Sequence, residues 1–133
     1  MHAPPPFRYG KRYRPLSQDY HEKFGSKVYK VSVAVVDSCP NRKGINSMSV
    51  CIFCDEWGSA AYHQQIGHPI KKQIQINKDA IRKRYHAEKF LVYFQAYTNS
   101  FGNFKDLDSL YRIALNEKDV IGLVIGTRPD CLP

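Results

Sequence analysis

Three apolar runs of strand length, each separated from the next by a stretch of helical periodicity, restrict this chain more than any other feature. Residues 28–36 carry the β-branched Val31, Val33, Val35 and Val36 and stop at Asp37, Ser38 and Cys39, so they read as a first strand. Phe90-Leu91-Val92-Tyr93-Phe94 is too short for a typical helix and aromatic enough for a strand buried on both faces, as parallel sheets require. Val120-Ile121-Gly122-Leu123-Val124-Ile125 forms a third strand, ending at Gly126-Thr127-Arg128-Pro129-Asp130, where Pro129 has no N–H for a ladder. Between the first two runs, Ile70, Ile74, Ile81 and Tyr85 are spaced to share one helical face, with Lys71, Lys72, Lys78, Arg82, Lys83 and Arg84 mostly opposite. This predicts an outer helix over 70–85 whose cations meet solvent or phosphates. Leu107, Leu110, Tyr111, Ala114 and Leu115 give the stripe of a second amphipathic helix, with Asn103 and Asp106 available to cap its N-terminus.

The predicted order is therefore βαβαβ, an α/β fold. Parallel strands joined by right-handed helical crossovers build either an open doubly wound sheet or the start of a (β/α) barrel. Both place functional groups at the C-terminal ends of the strands. Those ends are polar here: the cysteine loop follows strand one, Gln95-Ala96-Tyr97-Thr98-Asn99 follows strand two, and Thr127-Arg128-Pro129-Asp130 follows strand three. The three should converge on one active rim. Because Cys131-Leu132-Pro133 closes the sequence just past strand three, the expectation is a fold cut short, with an uncovered sheet edge.

Three cysteines sit in that first loop, as Cys39-Pro40-Asn41-Arg42-Lys43-Gly44 and Cys51-Ile52-Phe53-Cys54. Thiolates gathered in this way ask for a soft metal. The Cys51/Cys54 pair can aim two sulfurs at one centre, and Cys39 can complete a three-point anchor for an iron-sulfur cluster. Such an anchor leaves one iron open to a substrate or cofactor, whereas four-thiolate sites usually serve electron transfer or structure.

Composition agrees with that chemistry. The 133 residues, 43% hydrophobic, suit one globular domain with a moderate core. No apolar run of signal-peptide length follows the N-terminal Met-His-Ala-Pro-Pro-Pro, and the longest apolar runs are only strand-sized, so a soluble, cytoplasmic protein without membrane contact is expected. In a reducing compartment four cysteines serve as ligands or free thiols rather than as two disulfides. The net charge is +8, and residues 1–30 hold seven Lys or Arg against two acids. Residues 1–27 are read as a basic N-terminal segment whose Phe7, Tyr9, Tyr13, Tyr20 and Phe24 interleave with cations. That segment either wraps the domain with its cationic heads in water or contacts RNA through phosphates and stacked bases.

Lys27-Val28-Tyr29-Lys30, Cys39-Pro40-Asn41-Arg42, Cys51-Ile52-Phe53-Cys54, Tyr93-Phe94-Gln95-Ala96-Tyr97-Thr98-Asn99 and Ile125-Gly126-Thr127-Arg128-Pro129-Asp130-Cys131-Leu132-Pro133 occur in this order. Together they resemble the YhcC-like branch of radical S-adenosylmethionine proteins, related to the elongator-type radical enzymes. The likeness runs from about Arg12 onward and implies that residues 28–133 are the N-terminal part of a partial (β/α) barrel of radical S-adenosylmethionine type. It further implies a 4Fe-4S cluster on Cys39, Cys51 and Cys54, with S-adenosylmethionine chelating the open iron through its amino and carboxylate groups. An electron-donor protein would reduce the cluster, and cleavage of the sulfonium would yield a deoxyadenosyl radical that abstracts hydrogen from a substrate, RNA being one option. Phe53 matches the position near the adenine in similar enzymes, and it also suits packing. Gln95, Tyr97, Thr98 and Asn99 fall where similar enzymes contact the amino end of S-adenosylmethionine, although the usual Gly-Gly-Glu turn is missing. Arg128 could pair with the cofactor carboxylate or a substrate phosphate, or form a structural ion pair with Asp130. Before Cys51, related sequences tend to carry glycines where this one has Ser49-Val50. Cys131 is expected to be a small buried residue outside the cluster.

A second function fits part of the pattern. Cys39, Cys51, Cys54 and one of His63, His68 or Cys131 could close a four-ligand zinc site in an RNA-binding module without catalysis. The βαβαβ pattern needs no zinc to fold, and a second compact ligand pair at finger-like spacing is missing.

Overall fold

The computed structural model describes residues 12–35, 68–95 and 99–132. Its elements run α1 (Leu16–Phe24), β1 (Val28–Val33), α2 (Ile70–Tyr85), β2 (Lys89–Phe94), α3 (Phe104–Leu115) and β3 (Val120–Ile125), closed by a 3-10 turn over Pro129–Cys131. The two predicted helices and the second and third strands sit where their periodicity placed them. β1 stops at Val33, short of the expected end at residue 36, because Ala34 leaves the ladder to bond with a helix side chain. The basic segment holds an unpredicted helix: α1 has no buried residue, ends on Gly25 at φ 76°, a left-handed turn that glycine adopts without strain, and touches β1.

The strands lie in the order β1-β2-β3, all parallel. Val31 pairs with Val92 and Val92 with Leu123, and one irregularity between Phe90 and Leu91 shifts the register against β3. Adding consecutive strands on one side through crossovers of one hand puts both helices on one face. The core reflects this: Val31, Val33, Phe90, Val92 and Phe94 point to that face and meet Ile70 and Ile74 of α2 and Ala114 of α3. α2 packs on β1 and on α3, and α3 packs on β3. Asn103 caps α3, its Oδ1 accepting from the N–H groups of Lys105 (2.9 Å) and Asp106 (3.4 Å). β2, between two partners, is the most buried strand, whereas no residue of β3 falls in the buried class. Among the described residues, no helix is long and apolar enough to cross a membrane.

Two side chains depart from the sequence pattern. Lys78, expected on the solvated face of α2, is 6% exposed, with its ammonium on the carbonyl of Lys118 and 5.6 Å from the centre of the Phe90 ring. It lies four residues after Ile74 and three before Ile81, so helical spacing puts it in the apolar stripe. Leu115, expected in the stripe of α3, is instead exposed near that helix's last turn.

Candidate functional site

Because all three strands are parallel, Val33, Phe94 and Ile125 end on one rim. The connection from β1 to α2 departs from this rim and contains Cys39, Cys51 and Cys54. Gln73, in the first turn of α2, clamps its base. The Gln73 Oε1 accepts from the Ala34 N–H (2.9 Å), and its Nε2 donates to the Ala34 carbonyl (2.9 Å) and to the His68 carbonyl (2.8 Å). One fully buried amide thus joins both described flanks of the cysteine-bearing connection. One turn later, Asn77 donates to the Ser32 carbonyl (2.9 Å). Among the described residues β1 is an edge strand, and alternate backbone groups on its free side would otherwise lack partners; the two amides of α2 satisfy three of them, the Ala34 N–H and the carbonyls of Ala34 and Ser32.

The ends of β2 and β3 are stitched by Asn99. Its backbone N–H donates to the Gly126 carbonyl (2.9 Å), and its Nδ2 donates to the carbonyls of Phe94 (2.8 Å) and Gly126 (3.3 Å). The Gly126 N–H returns a bond to Phe94 (3.0 Å). A Cβ at Gly126 would stand 3.1 Å from the Phe94 carbonyl oxygen, so glycine here permits the two strand ends to approach. The Tyr111 hydroxyl of α3 donates to the Asn99 carbonyl, and burial raises the Tyr111 phenol above its ordinary pKa. Ser100 and Thr127 share a hydroxyl contact across the same gap. Asn99 is fully buried, yet its Oδ1 has no hydrogen-bond partner among the described residues. A buried acceptor left open is uncommon, and it marks a position where a donor would be well received.

Arg128 and Asp130 form a two-point ion pair, with Nε to Oδ1 at 2.9 Å and a terminal nitrogen to Oδ2 at 2.8 Å. The Arg128 hydrogen bond holds the Asp130 carboxyl below the usual carboxylate range. Of the three pairings open to Arg128, the structure displays the one with Asp130. Cys131 is partly exposed rather than buried, with its Sγ 3.7 Å from Asp130 Oδ1, because Pro129 starts a 3-10 turn that runs along the surface. Gln95 follows β2, its N–H donating to the Val33 carbonyl (3.3 Å).

Of the residues singled out from sequence, Gln95, Asn99 and Arg128 are thus brought to one rim. His68 lies exposed beside α2. Cys39, Cys51, Cys54, Phe53, His63, Tyr97 and Thr98 lie outside the described residues, and so does any test of their geometry. Among the described residues, no three His, Cys, Asp or Glu gather as a metal site. Sequence reading missed Gln73 and Asn77. Their signal was amides at i and i+4 beside Ile70 and Ile74, polar residues inside an apolar stripe.

Three related proteins align with most of this chain. YtqA of Bacillus subtilis (strain 168) is 35% identical over 131 residues, 96% of this chain and 41% of that protein. YhcC of Escherichia coli (strain K12) is 36% identical over 115 residues, 86% of this chain and 36% of its own length. A protein of Methanocaldococcus jannaschii is 35% identical over 113 residues, 84% and 34% respectively. The chain therefore spans roughly two-fifths or less of the relatives it matches. No family model matches it, and no solved structure matches it.

Proposed function

From its kinship with the YhcC-like proteins over most of its length, we propose that this chain is the cofactor-binding portion of a radical S-adenosylmethionine protein. Cys39, Cys51 and Cys54 would hold a 4Fe-4S cluster by three thiolates, leaving one iron for the amino and carboxylate groups of S-adenosylmethionine. With both bound, the pair supplies a one-electron cleavage that generates a carbon-centred radical for hydrogen abstraction. The observation that carries the reading is placement. The cysteine-bearing connection leaves the same strand-end rim at which Asn99 holds a buried side-chain oxygen that has no partner among the described residues. An ammonium donor is the complement of that oxygen, so the structure's own groups suit the amino end of the cofactor. Arg128 is occupied by Asp130, which leaves it a poorer choice for the carboxylate. Gln73 ties the two described flanks of the connection, and Phe53 would offer an aromatic surface for the adenine. The strand order, with both helices on one face, supports reading it as the start of a (β/α) barrel.

Anaerobic reconstitution with iron and sulfide tests the proposal. Brown protein with about four irons per chain is expected, and Cys51→Ala should lose the cluster. Colourless protein that instead keeps one tightly bound zinc would overturn it in favour of a closed structural site.

A further inference from the structure

The end of the sheet opposite the rim, where β1, β2 and β3 begin, holds two adjoining hollows. The smaller, about 110 Å³, lies between the start of β1 and the end of α2, with Lys27, Tyr29 and Tyr85 in its wall. The larger, about 530 Å³, continues along α2 to the turn before β3 and is walled by Lys78, Arg82, Lys118 and Asp119. Ala87 and Glu88, just ahead of β2, line both. The two therefore form one open groove across the three strand starts, roughly 10 Å at the ordinary strand spacing. Its charge is lopsided. Lys27, Lys78, Arg82 and Lys118 stand against two acids, Glu88 and Asp119, and α2 as a whole carries six Lys or Arg against Asp79. Arg82 lies 3.2 Å from Asp119 and 3.7 Å from Asp79, which leaves three lysines against Glu88. This excess comes from the residues that build the groove and requires no single cation to lack a partner.

An aromatic surface borders the same groove. Tyr29 and Tyr85 stack with ring centres 5.1 Å apart at 16°, and the Arg84 guanidinium lies 5.2 Å from the centre of the Tyr85 ring. Tyr85 stays 48% exposed, and Arg84 is exposed beside it. A helix face that only meets water needs no such stack at its end.

We infer that this groove binds single-stranded RNA. Cations that track a groove contact phosphates, and the Tyr85 ring and Arg84 guanidinium offer planes on which bases stack whatever their sequence. A duplex keeps its bases stacked on one another and cannot use those planes. An acidic polypeptide would satisfy the cations and leave the planes unused. Glu88, inside the groove, repels phosphates but accepts from a ribose 2′-hydroxyl, a donor that DNA lacks. The groove lies at the opposite strand ends from Asn99 and the cysteine-bearing connection, so the inference goes beyond the proposed function and does not rest on it.

Anisotropy of a fluorescein-labelled oligouridylate of about 12 nucleotides, titrated with the full chain at low salt, tests the inference. Lys118 is exposed, and its carbonyl rather than its side chain receives Lys78, so Lys118→Met removes a charge without undoing that contact. It should weaken binding about threefold and lower the salt slope by about 0.7, the share of one phosphate on a single strand. Tyr85→Leu removes the ring but no charge, and should weaken binding about fivefold with the slope unchanged. Lys105→Met, the same loss of charge from an exposed position on α3, should stay within about twofold of the parent and keep its slope. Should circular dichroism show Tyr85→Leu to be unfolded, Arg84→Met takes its place and should lose about fivefold in affinity and about 0.7 in slope. Polyglutamate, duplex RNA and oligodeoxyuridylate of matching length serve as competitors, and each should displace the probe at least about fivefold less well than unlabelled oligouridylate. The inference is wrong if the oligouridylate does not bind, if the groove variants bind it as tightly as the parent, or if any of the three competitors matches it.

Discussion

Gln73→Leu should destabilise the protein far more than a hydrophobic replacement on a helix ordinarily would, and the reason lies in what its amide holds. Leucine has nearly the volume of glutamine, so little cavity is created, and apolar burial improves. Against this, the buried Ala34 loses the partners of both its N–H and its carbonyl, while the exposed His68 carbonyl can turn to water. Each buried group left unsatisfied costs about 1–3 kcal/mol, roughly 4 kcal/mol for the two, and the gain from leucine offsets about 1 kcal/mol, so a net loss near 3 kcal/mol is expected. At about 4 °C per kcal/mol for a chain of this size, the midpoint of thermal unfolding should fall by about 12 °C. Circular dichroism measures that midpoint, and amide exchange reports the clamp directly, since protection of the Ala34 N–H should drop by more than the global change explains. Gln73→Glu sharpens the test. A carboxylate can still accept from the Ala34 N–H but faces two carbonyls where the amide donated, which favours its protonated form in the fold. A raised folded pKa means the folded state holds the proton more tightly, so this variant should gain stability as pH falls. A Gln73→Leu midpoint within about 2 °C of the parent would refute the clamp.

Other sites at the rim and the opposite end give further expectations. Gly126→Ala sets a methyl against the rigid Phe94 carbonyl and should lose about 1–3 kcal/mol by urea unfolding. Tyr111→Phe should lose about 1 kcal/mol near neutrality by removing the donor to Asn99. Because burial raises the Tyr111 phenol above 10.0, its contribution is whole below that value and disappears as pH climbs through the raised one, so the parent should weaken more steeply than Tyr111→Phe in alkali. Lys78→Met keeps the buried stem and should stay within about 1 kcal/mol of the parent, whereas Lys78→Ala empties the space beside Phe90 and should lose about 2 kcal/mol in the same urea titration.

Period alone determined the alternating βαβ frame: Ile70, Ile74 and Ile81 defined α2, the stripe from Leu107 defined α3, and the runs at 90–94 and 120–125 defined the inner and last strands. These signals are local, because a helix or strand must turn one face to a core whatever the rest of the chain does. Asn103 was legible as a cap for the same reason. Tertiary structure alone decided which polar residues the core would admit. Gln73 and Asn77 are buried because an edge strand's backbone needs partners, and that need arises only once α2 lies across β1. Lys78 is buried because the Lys118 carbonyl and the Phe90 ring, 40 and 12 residues away in sequence, receive it. Helix α1 gave little sign because it buries no residue of its own and is held at its end by the Lys89 ammonium on the Phe24 carbonyl. At the rim, sequence named Asn99 and Arg128. Only packing distinguished their states, committing one guanidinium to Asp130 and leaving one buried oxygen without a partner among the described residues.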